Sequence, residues 1–288
     1  MKKEIKYLGL LFILLLCFST GCGKKDPEKI LKDAIEKTEN AKSTKVKFGL
    51  NYGFDMQGIS IGVSFTGEEE VYKENNDMVS AHGTYDVKAI GMNQSIENYS
   101  VQKEGYLYSY IKDEDGQWSY TKTEYKQNND YKDKIIKMID SATKVKSEKS
   151  DKKGYNKLSV TLDIEDTLKS LNEIMPKDSL DEFSEQLNSF SMKEITFTVY
   201  IKDGYISVIE MDLEDILNNT TTLFGNEFGK IDVHGVLTIS LFDYNKVSEV
   251  KVPDEVINNE KEKKKMDLDV KKFMNFDDIN ALDEKLDF

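Results

Sequence analysis

The chain has 288 residues, enough for one large domain or two small ones, and its 53 acidic and 40 basic residues give a net charge of −13. Binding to nucleic acid or to an anionic lipid surface depends on basic residues, so this charge disfavours both kinds of partner. Every basic residue is a lysine, so the chain lacks the planar fork with which arginine binds carboxylates and phosphates.

The N-terminal segment has the layout of a bacterial lipoprotein signal. Lys2 and Lys3 precede an uncharged run that begins at Tyr7, and small residues follow the run up to Gly21 and Cys22. Residues 7–23 make 17 uncharged positions, whereas a membrane-spanning helix needs about 20. We therefore predict that residues 1–21 are a cleaved signal peptide, with an ordinary secretory signal or an uncleaved anchor as alternatives.

Cysteine usage fits this interpretation. Cys17 lies inside the predicted signal, so Cys22 is the one thiol left after cleavage, and an internal disulfide is excluded. We predict that Cys22 carries a diacylglycerol, whose two chains suffice for stable anchoring. The predicted location is the extracytoplasmic face of the cell membrane.

A helix and a series of strands follow the anchor. Residues 22–26 form a short tether, and Pro27 opens a helix to about residue 41 with Leu31 and Ile35 on its apolar face. Apolar and polar residues then alternate over 46–54, which include Phe48, Leu50 and Tyr52, and over 59–65. Further strands are predicted over 71–74, 78–89, 95–102, 106–111 and 117–123, with a hairpin turn at 113–116.

The second half inserts helices between strands. Helices are predicted over 131–145, 164–175 and 179–190, and a helix or loop over 214–226; strands are predicted over 155–162, 195–201, 205–213 and 233–241. Strict alternation of strand and helix is absent. The pattern predicts an α+β domain over 27–253, with a strongly curved, unclosed antiparallel sheet and helices covering its concave face.

Residues 254–288 are dominated by charged side chains with interspersed apolar ones. Two interpretations stay open for this C-terminal tail. It is either a flexible segment or an amphipathic one that docks on the domain or on a partner.

The sequence carries no motif that favours catalysis. It has no cysteine–histidine cluster, no phosphate-binding glycine loop and no dinucleotide fingerprint. His82 and His234 fall in predicted strands, where ordinary hydrogen bonding explains them, although a Ser-His-Asp arrangement is not excluded by counting. The acidic residues at 113–115 fit a turn better than a calcium loop, because Trp118 and Tyr120 continue as a strand. We expect no enzyme activity, no cofactor and no metal.

Aromatic residues cluster between 106 and 125. Tyr106, Tyr108 and Tyr110 share one face of a predicted strand, with Trp118 and Tyr120 across the hairpin. They form either a ladder that stabilises the sheet or the rim of a ligand cavity. The ten residues predicted to line such a cavity are Phe48, Leu50, Tyr52, Tyr106, Tyr108, Trp118, Phe197, Val199, Leu237 and Ile239.

Several segments resemble a class of envelope proteins. They are the signal ending at Cys22, residues 105–108 (GYLY) and 116–118 (GQW), residues 201–206 (IKDGYI) and the closing residues 243–247 (DYNKV). Over residues 22–256 the chain resembles LolA-like and LprG/LppX-like lipoproteins and their uncharacterised Gram-positive relatives. The resemblance implies an unclosed β-barrel with helices filling the opening, and a space between them that holds acyl chains.

Two functions follow as expectations. The first is a membrane-anchored lipoprotein that binds or carries a lipid or another amphiphile in an apolar cavity. The alternative is an interaction protein without a small ligand, which engages an envelope protein through its acidic surface and its C-terminal tail.

Overall fold

A computed structural model describes residues 26–56, 59–74, 77–89, 92–112, 116–125, 136, 138–165, 193–214, 231–258 and 261–262. The predicted signal peptide and Cys22 lie outside the described residues. So do most of the helices predicted over 164–175, 179–190 and 214–226, and the acidic residues at 113–115.

The described elements are two helices and twelve strands. The helices are α1 (Pro27–Glu39) and α2 (Asp254–Asn258). The strands are β1 (Ser43–Met56), β2 (Ile59–Glu74), β3 (Asp77–Ala89), β4 (Met92–Lys103), β5 (Tyr106–Lys112), β6 (Trp118–Glu124), β7 (Lys144–Glu148), β8 (Asn156–Asp163), β9 (Glu194–Lys202), β10 (Tyr205–Asp212), β11 (Ile231–Phe242) and β12 (Lys261–Glu262).

All twelve described strands join one open sheet in the order β12-β6-β5-β4-β3-β2-β1-β11-β10-β9-β8-β7. Every neighbouring pair is antiparallel except β12 with β6, which is parallel. The large antiparallel, unclosed sheet predicted from the sequence is confirmed.

One face of the sheet, here called the inner face, carries the main core. Because side chains alternate along a strand, the pairing of Val46 with Leu241 places their side chains on the same face. Val199 and Leu158 are fully buried on this face in strands β9 and β8, and the apolar side of α1 packs on them through Leu31 and other residues. The core is therefore densest on the half of the sheet from β11 to β7.

Helix α1 is fixed at both ends. Asp26 caps its start by accepting a hydrogen bond from the Glu28 amide at 3.1 Å, and Pro27 occupies the first turn. Near its end, the buried Thr38 hydroxyl accepts a hydrogen bond from the Ile206 amide at 3.0 Å. These contacts hold the helix against β10.

The structure corrects two element predictions. Among the described residues of the helix predicted over 131–145, residues 136 and 138–140 are helical. Residues 144–148 instead form strand β7, because Val145 pairs with Val160 of β8. The strands predicted separately over 59–65 and 71–74 are one continuous strand, β2. Of the helices predicted to cover the concave face, α1 is the one described along its whole length.

The chain leaves β11 and crosses the other face, here called the outer face. Residues 246–258 and 261–262, here called the C-terminal strap, run from β11 to β6, where β12 forms the edge of the sheet. Val256 of the strap is 1% exposed against the outer face, and Lys261 pairs with Ser119 of β6. The start of the predicted tail therefore docks on the domain.

Candidate functional site

The inner face changes character between β11 and β4. On this face Val46, Val71 and Ala81 of β1 to β3 are buried. Another set of apolar side chains beside the packed core is only partly buried, in contrast to Leu158 and Val199 at 0% exposure. Cross-strand pairing makes them contiguous, since Leu50 pairs with Leu237 on one side and with Phe65 on the other. This set is called the apolar strip, and it consists of Phe48, Leu50, Tyr52, Val63, Phe65, Tyr85, Val87, Ile96 and Leu237.

Two aromatic rings form the middle of the apolar strip. Phe65 and Tyr85 stack with their centroids 5.9 Å apart and their planes within 12°. A Cβ added to Gly67 would lie 2.3 Å from the Tyr85 ring, and one added to Gly83 would lie 2.7 Å from the Tyr85 hydroxyl. The two glycines therefore leave the room in which the Tyr85 ring lies close to the sheet.

Tyr52 marks the apolar character of this surface. Burial raises the pKa of its phenol above the usual value, because apolar surroundings disfavour the ionised form. Its strand neighbour Val63 belongs to the same strip. The Tyr52 side chain is thus partly buried among apolar neighbours and partly accessible to solvent.

A neutral polar margin adjoins the apolar strip on β4 to β6. Asn98, Ser100, Ser109 and Ser119 face inward there, and no lysine, aspartate or glutamate of the described β4–β6 residues shares that face. The Asn98 Oδ1 atom is buried and has no hydrogen-bond partner among the described residues, which is uncommon for a buried polar atom. Apolar and neutral polar areas thus lie side by side on one face.

Seven of the ten predicted cavity residues lie on the inner face. Phe197, Val199 and Ile239 are buried in the packed core at 3%, 0% and 7% exposure. The other four belong to the apolar strip: Phe48, Leu50, Tyr52 and Leu237. The structure therefore brings four predicted residues together on accessible surface and places three inside the core.

The remaining three predicted residues, Tyr106, Tyr108 and Trp118, lie on the outer face. The register Lys45–Glu70–His82–Tyr99–Tyr110 runs across β1 to β5 with every side chain on that face. The strand alternation puts Tyr106 and Tyr108 beside Tyr110, and Trp118 beside its neighbour Tyr120. These residues and the four inner-face residues do not line a common cavity.

The outer aromatic residues form a cross-strand cluster with the C-terminal strap. Tyr110 and Tyr120 pair across the β5–β6 hairpin with ring centroids 5.9 Å apart. Val256 and Val252 of the strap pack on this cluster, and Trp118 is buried beside them. These aromatic residues thus form a cross-strand ladder, the first of the two interpretations offered by the sequence. Tyr106, at the end of the ladder, is 41% exposed.

Sequence reasoning missed five of the nine residues of the apolar strip, and Asn98 beside it. The five are Val63, Phe65, Tyr85, Val87 and Ile96. Phe65 belongs to the alternating series predicted over 59–65 and could have been chosen on that signal. Tyr85 and Asn98 carry no such signal, because their place depends on Gly67, Gly83 and the strand register. A polar residue in a strand is otherwise expected to face solvent.

The two histidines have ordinary surroundings. The His82 ring stacks on Tyr99 with centroids 4.3 Å apart, and its Nε2 atom lies 3.3 Å from Glu97 Oε1. His234 is exposed on β11. Within the described ranges, no group of three histidine, cysteine, aspartate or glutamate side chains could hold a metal ion. None of the described helices is both long and apolar enough to cross a membrane.

Comparison with known proteins places the chain in a family. The model of a family of unknown function, DUF6612, matches residues 26–261. The chain belongs to DUF6612. The match ends at Lys261, the first residue of β12. The part of this DUF6612 protein that matches the family therefore includes the apolar strip and almost the whole C-terminal strap. No curated protein matches the chain.

Three solved structures are similar to this DUF6612 protein. LprF from Mycobacterium bovis matches with 13% identity over 79% of this chain and 96% of its own, at a TM-score of 0.41. A DUF1329 family protein from Desulfovibrio piger has 8% identity over 80% of this chain and 96% of its own, at a TM-score of 0.26. A β-barrel-like DUF1849 protein from Brucella abortus has 8% identity over 70% of this chain and 99% of its own, at a TM-score of 0.23. The match to LprF agrees with the resemblance to LprG/LppX-like lipoproteins seen in the sequence.

Proposed function

We propose that this protein is a non-enzymatic lipoprotein of the extracytoplasmic membrane face, anchored through Cys22, which binds a lipid or another amphiphile on its inner face. The observation that carries the proposal is the apolar strip. It is a contiguous set of partly exposed apolar side chains beside a fully packed core on the same face. Accessible apolar patches of this kind are typical of ligand or interaction sites.

The energy available from such a face is sufficient for binding. Burial of an acyl chain contributes about 0.8 kcal/mol per methylene, so ten methylenes give about 8 kcal/mol, which corresponds to a dissociation constant of about 1 μM. Entropic costs lower this affinity. The neutral polar margin supplies hydrogen-bonding groups for the polar end of the amphiphile through the partly buried hydroxyls of Ser100 and Ser109.

The anchor gives the proposal its location. Four residues separate Cys22 from Pro27, the first residue of α1, and α1 packs on the inner face. An amphiphile would therefore move only a short distance between the bilayer and the apolar strip.

Native mass spectrometry tests ligand binding. Residues 23–288 keep every residue that the structure describes, and we expect this protein to purify with a bound amphiphile or to take one up when fatty acid is offered. Leu50→Lys puts a charge into the apolar strip and should abolish uptake. Asn51→Lys, at the next position but exposed, is the matched control and should bind normally. Absence of lipid from the unchanged protein, before and after the offer, contradicts the proposal and favours the protein-partner alternative.

Membrane fractionation tests the anchor separately. Full-length protein with Cys22→Ala should lose its lipid and leave the membrane fraction, because the net charge of −13 gives little attraction to anionic lipid. Cys17→Ala is the control, since this residue lies within the predicted signal, and should leave the attachment unchanged. Membrane attachment that survives Cys22→Ala would show that another segment holds the protein there.

A further inference from the structure

The C-terminal strap joins distant parts of an open sheet. It leaves the sheet at β11 and reaches β6, with β1, β2, β3, β4 and β5 lying between them. Within the part of the chain that the structure describes, no pair joins the outermost strands of the sheet, so neighbouring ladders alone do not fix how far its two ends lie apart. A segment that ties β11 to β6 across the outer face adds such a constraint.

The first half of the strap is lightly held. Two of its amides donate hydrogen bonds to buried serines of the sheet: Val247 to Ser43 at 3.0 Å and Val250 to Ser80 at 2.9 Å. Between residues 246–251 and the sheet lies an open groove of about 450 Å³, and its floor includes Lys45, Glu70 and His82. This half therefore touches the sheet at a few points without packing on it.

The second half of the strap is seated on the aromatic cluster. Val256 is 1% exposed and packs with Val252 against the rings of the outer face, whereas the next residue, Ile257, is 45% exposed. Among the described residues that follow, Lys261 and Glu262 pair with β6. The contacts that seat the strap include these two valines, the two serine anchors and the pairing with β6, and each involves few residues, whereas β1 pairs with β2 along its whole length.

We infer that the C-terminal strap is a reversible clamp that sets the opening of the sheet. Seated, it holds the β6 end at a fixed distance from β11 and so fixes the curvature of the inner face. Released, it lets the strands from β3 to β6 move away from the core half. A few weak contacts of this kind can open locally while the sheet stays folded.

The clamp also acts on the proposed ligand site. The apolar strip and the strap use opposite faces of the same strands, since Tyr85 faces inward and His82 outward on β3. A change in curvature therefore alters the space in front of the strip. This second step rests on the proposed function, and the clamp itself does not.

Spin-label distances test the clamp without any ligand. Residues 23–288 contain no cysteine, so Glu124→Cys on β6 and Lys146→Cys on β7, both exposed, can be labelled cleanly. We expect one narrow distance distribution in this background. Val256→Lys should unseat the strap, broaden the distribution and shift it to longer distances, and the matched control Ile257→Lys should leave it unchanged.

Hydrogen exchange keeps this test decisive. If Val256→Lys speeds exchange at residues 247–258 while the label distances stay the same, the strap does not set the opening and the inference is wrong. If Val256→Lys fails to fold, the double change Ser43→Ala and Ser80→Ala removes the two anchors and is judged by the same two readouts. Faster exchange in the strap together with a wider distribution supports the clamp.

A disulfide lock tests the effect on the ligand site. Ser80→Cys with Val250→Cys replaces one hydrogen-bonded anchor by a covalent one. With dansyl-labelled fatty acid as the probe, we expect slower uptake and release in the oxidised than in the reduced form. Equal rates of uptake and release in the two forms would show that the clamp does not affect the ligand site. If the unchanged protein binds no probe at all, the proposed function fails, and the label distances still decide on the clamp.

Discussion

Tyr200 shows how a single buried hydroxyl responds to its surroundings. The side chain is 3% exposed on β9, and its hydroxyl donates a hydrogen bond to Asp151 Oδ1 at 3.1 Å. The Lys152 ammonium lies 3.8 Å from the ring centroid and pairs with Glu210 at 2.8 Å. Burial first, and then the negative charge of Glu210, raises the pKa of Tyr200 to about 12.

The raised pKa of Tyr200 predicts a loss of stability in alkali. In the unfolded chain a tyrosine ionises near pH 10, while the folded protein keeps this proton until about pH 12. The contribution of Tyr200 is therefore complete below pH 10 and declines as the pH rises from 10 to 12. The difference in unfolding free energy between the unchanged protein and Tyr200→Phe should shrink over that range, as measured by urea denaturation.

The exposed Tyr106 supplies the control for this measurement. Tyr106→Phe removes a hydroxyl from a side chain that is 41% exposed, so it controls for the loss of a tyrosine hydroxyl outside the buried cluster of Tyr200. A Tyr200→Phe difference that stays constant from pH 9 to pH 12 would contradict the argument.

Single residues also show what the sequence could and could not give for the site. Alternation within a strand identified Phe48, Leu50 and Tyr52 as one face, because the period of two is a local property. It could not place Tyr106 and Tyr108 relative to them, because that depends on how β2, β3 and β4 pair in between. A shift of one residue in any of these registers exchanges the two faces.

The elements themselves were largely predictable where the local pattern is strong. Strands β3 to β6 and β8 to β11 were predicted to within a few residues, since alternation and turns mark them. The turns at Glu104-Gly105 and Asp203-Gly204 have positive φ at both positions, as two-residue hairpins of this type require.

Strand β7 and the C-terminal strap show where local pattern fails. Val145 continues the helical spacing of Ile139 and Ala142, yet it pairs with Val160, since the edge of β8 is available there. From residue 254 onward the strap belongs to the predicted charged tail, because Val256 stands among polar residues. The burial of Val256 comes from an aromatic surface supplied by β4, β5 and β6, far away in sequence. Both outcomes are decided by tertiary partners rather than by propensity.

At the scale of the whole molecule, the sheet is unequal in its two halves. From β8 to β10, inner side chains such as Leu158, Val160 and Ile206 are fully buried, and each strand is paired on both sides. From β1 to β4, the same face carries the partly exposed apolar strip and then the neutral polar margin. Stability should therefore be concentrated in the β8–β10 half, and the other half should open more readily.

Hydrogen exchange followed by mass spectrometry should reveal this division. Amides of β8 to β10 should exchange slowest, and those of β2 and β3 around Phe65 and Tyr85 should exchange faster, since fewer buried apolar contacts oppose local opening there. An amphiphile bound to the apolar strip buries those side chains and should slow exchange in β2 and β3 while leaving β8 to β10 unchanged. Equal protection in both halves would contradict the division of the sheet. Slowing confined to β8–β10 would instead place the ligand away from the strip.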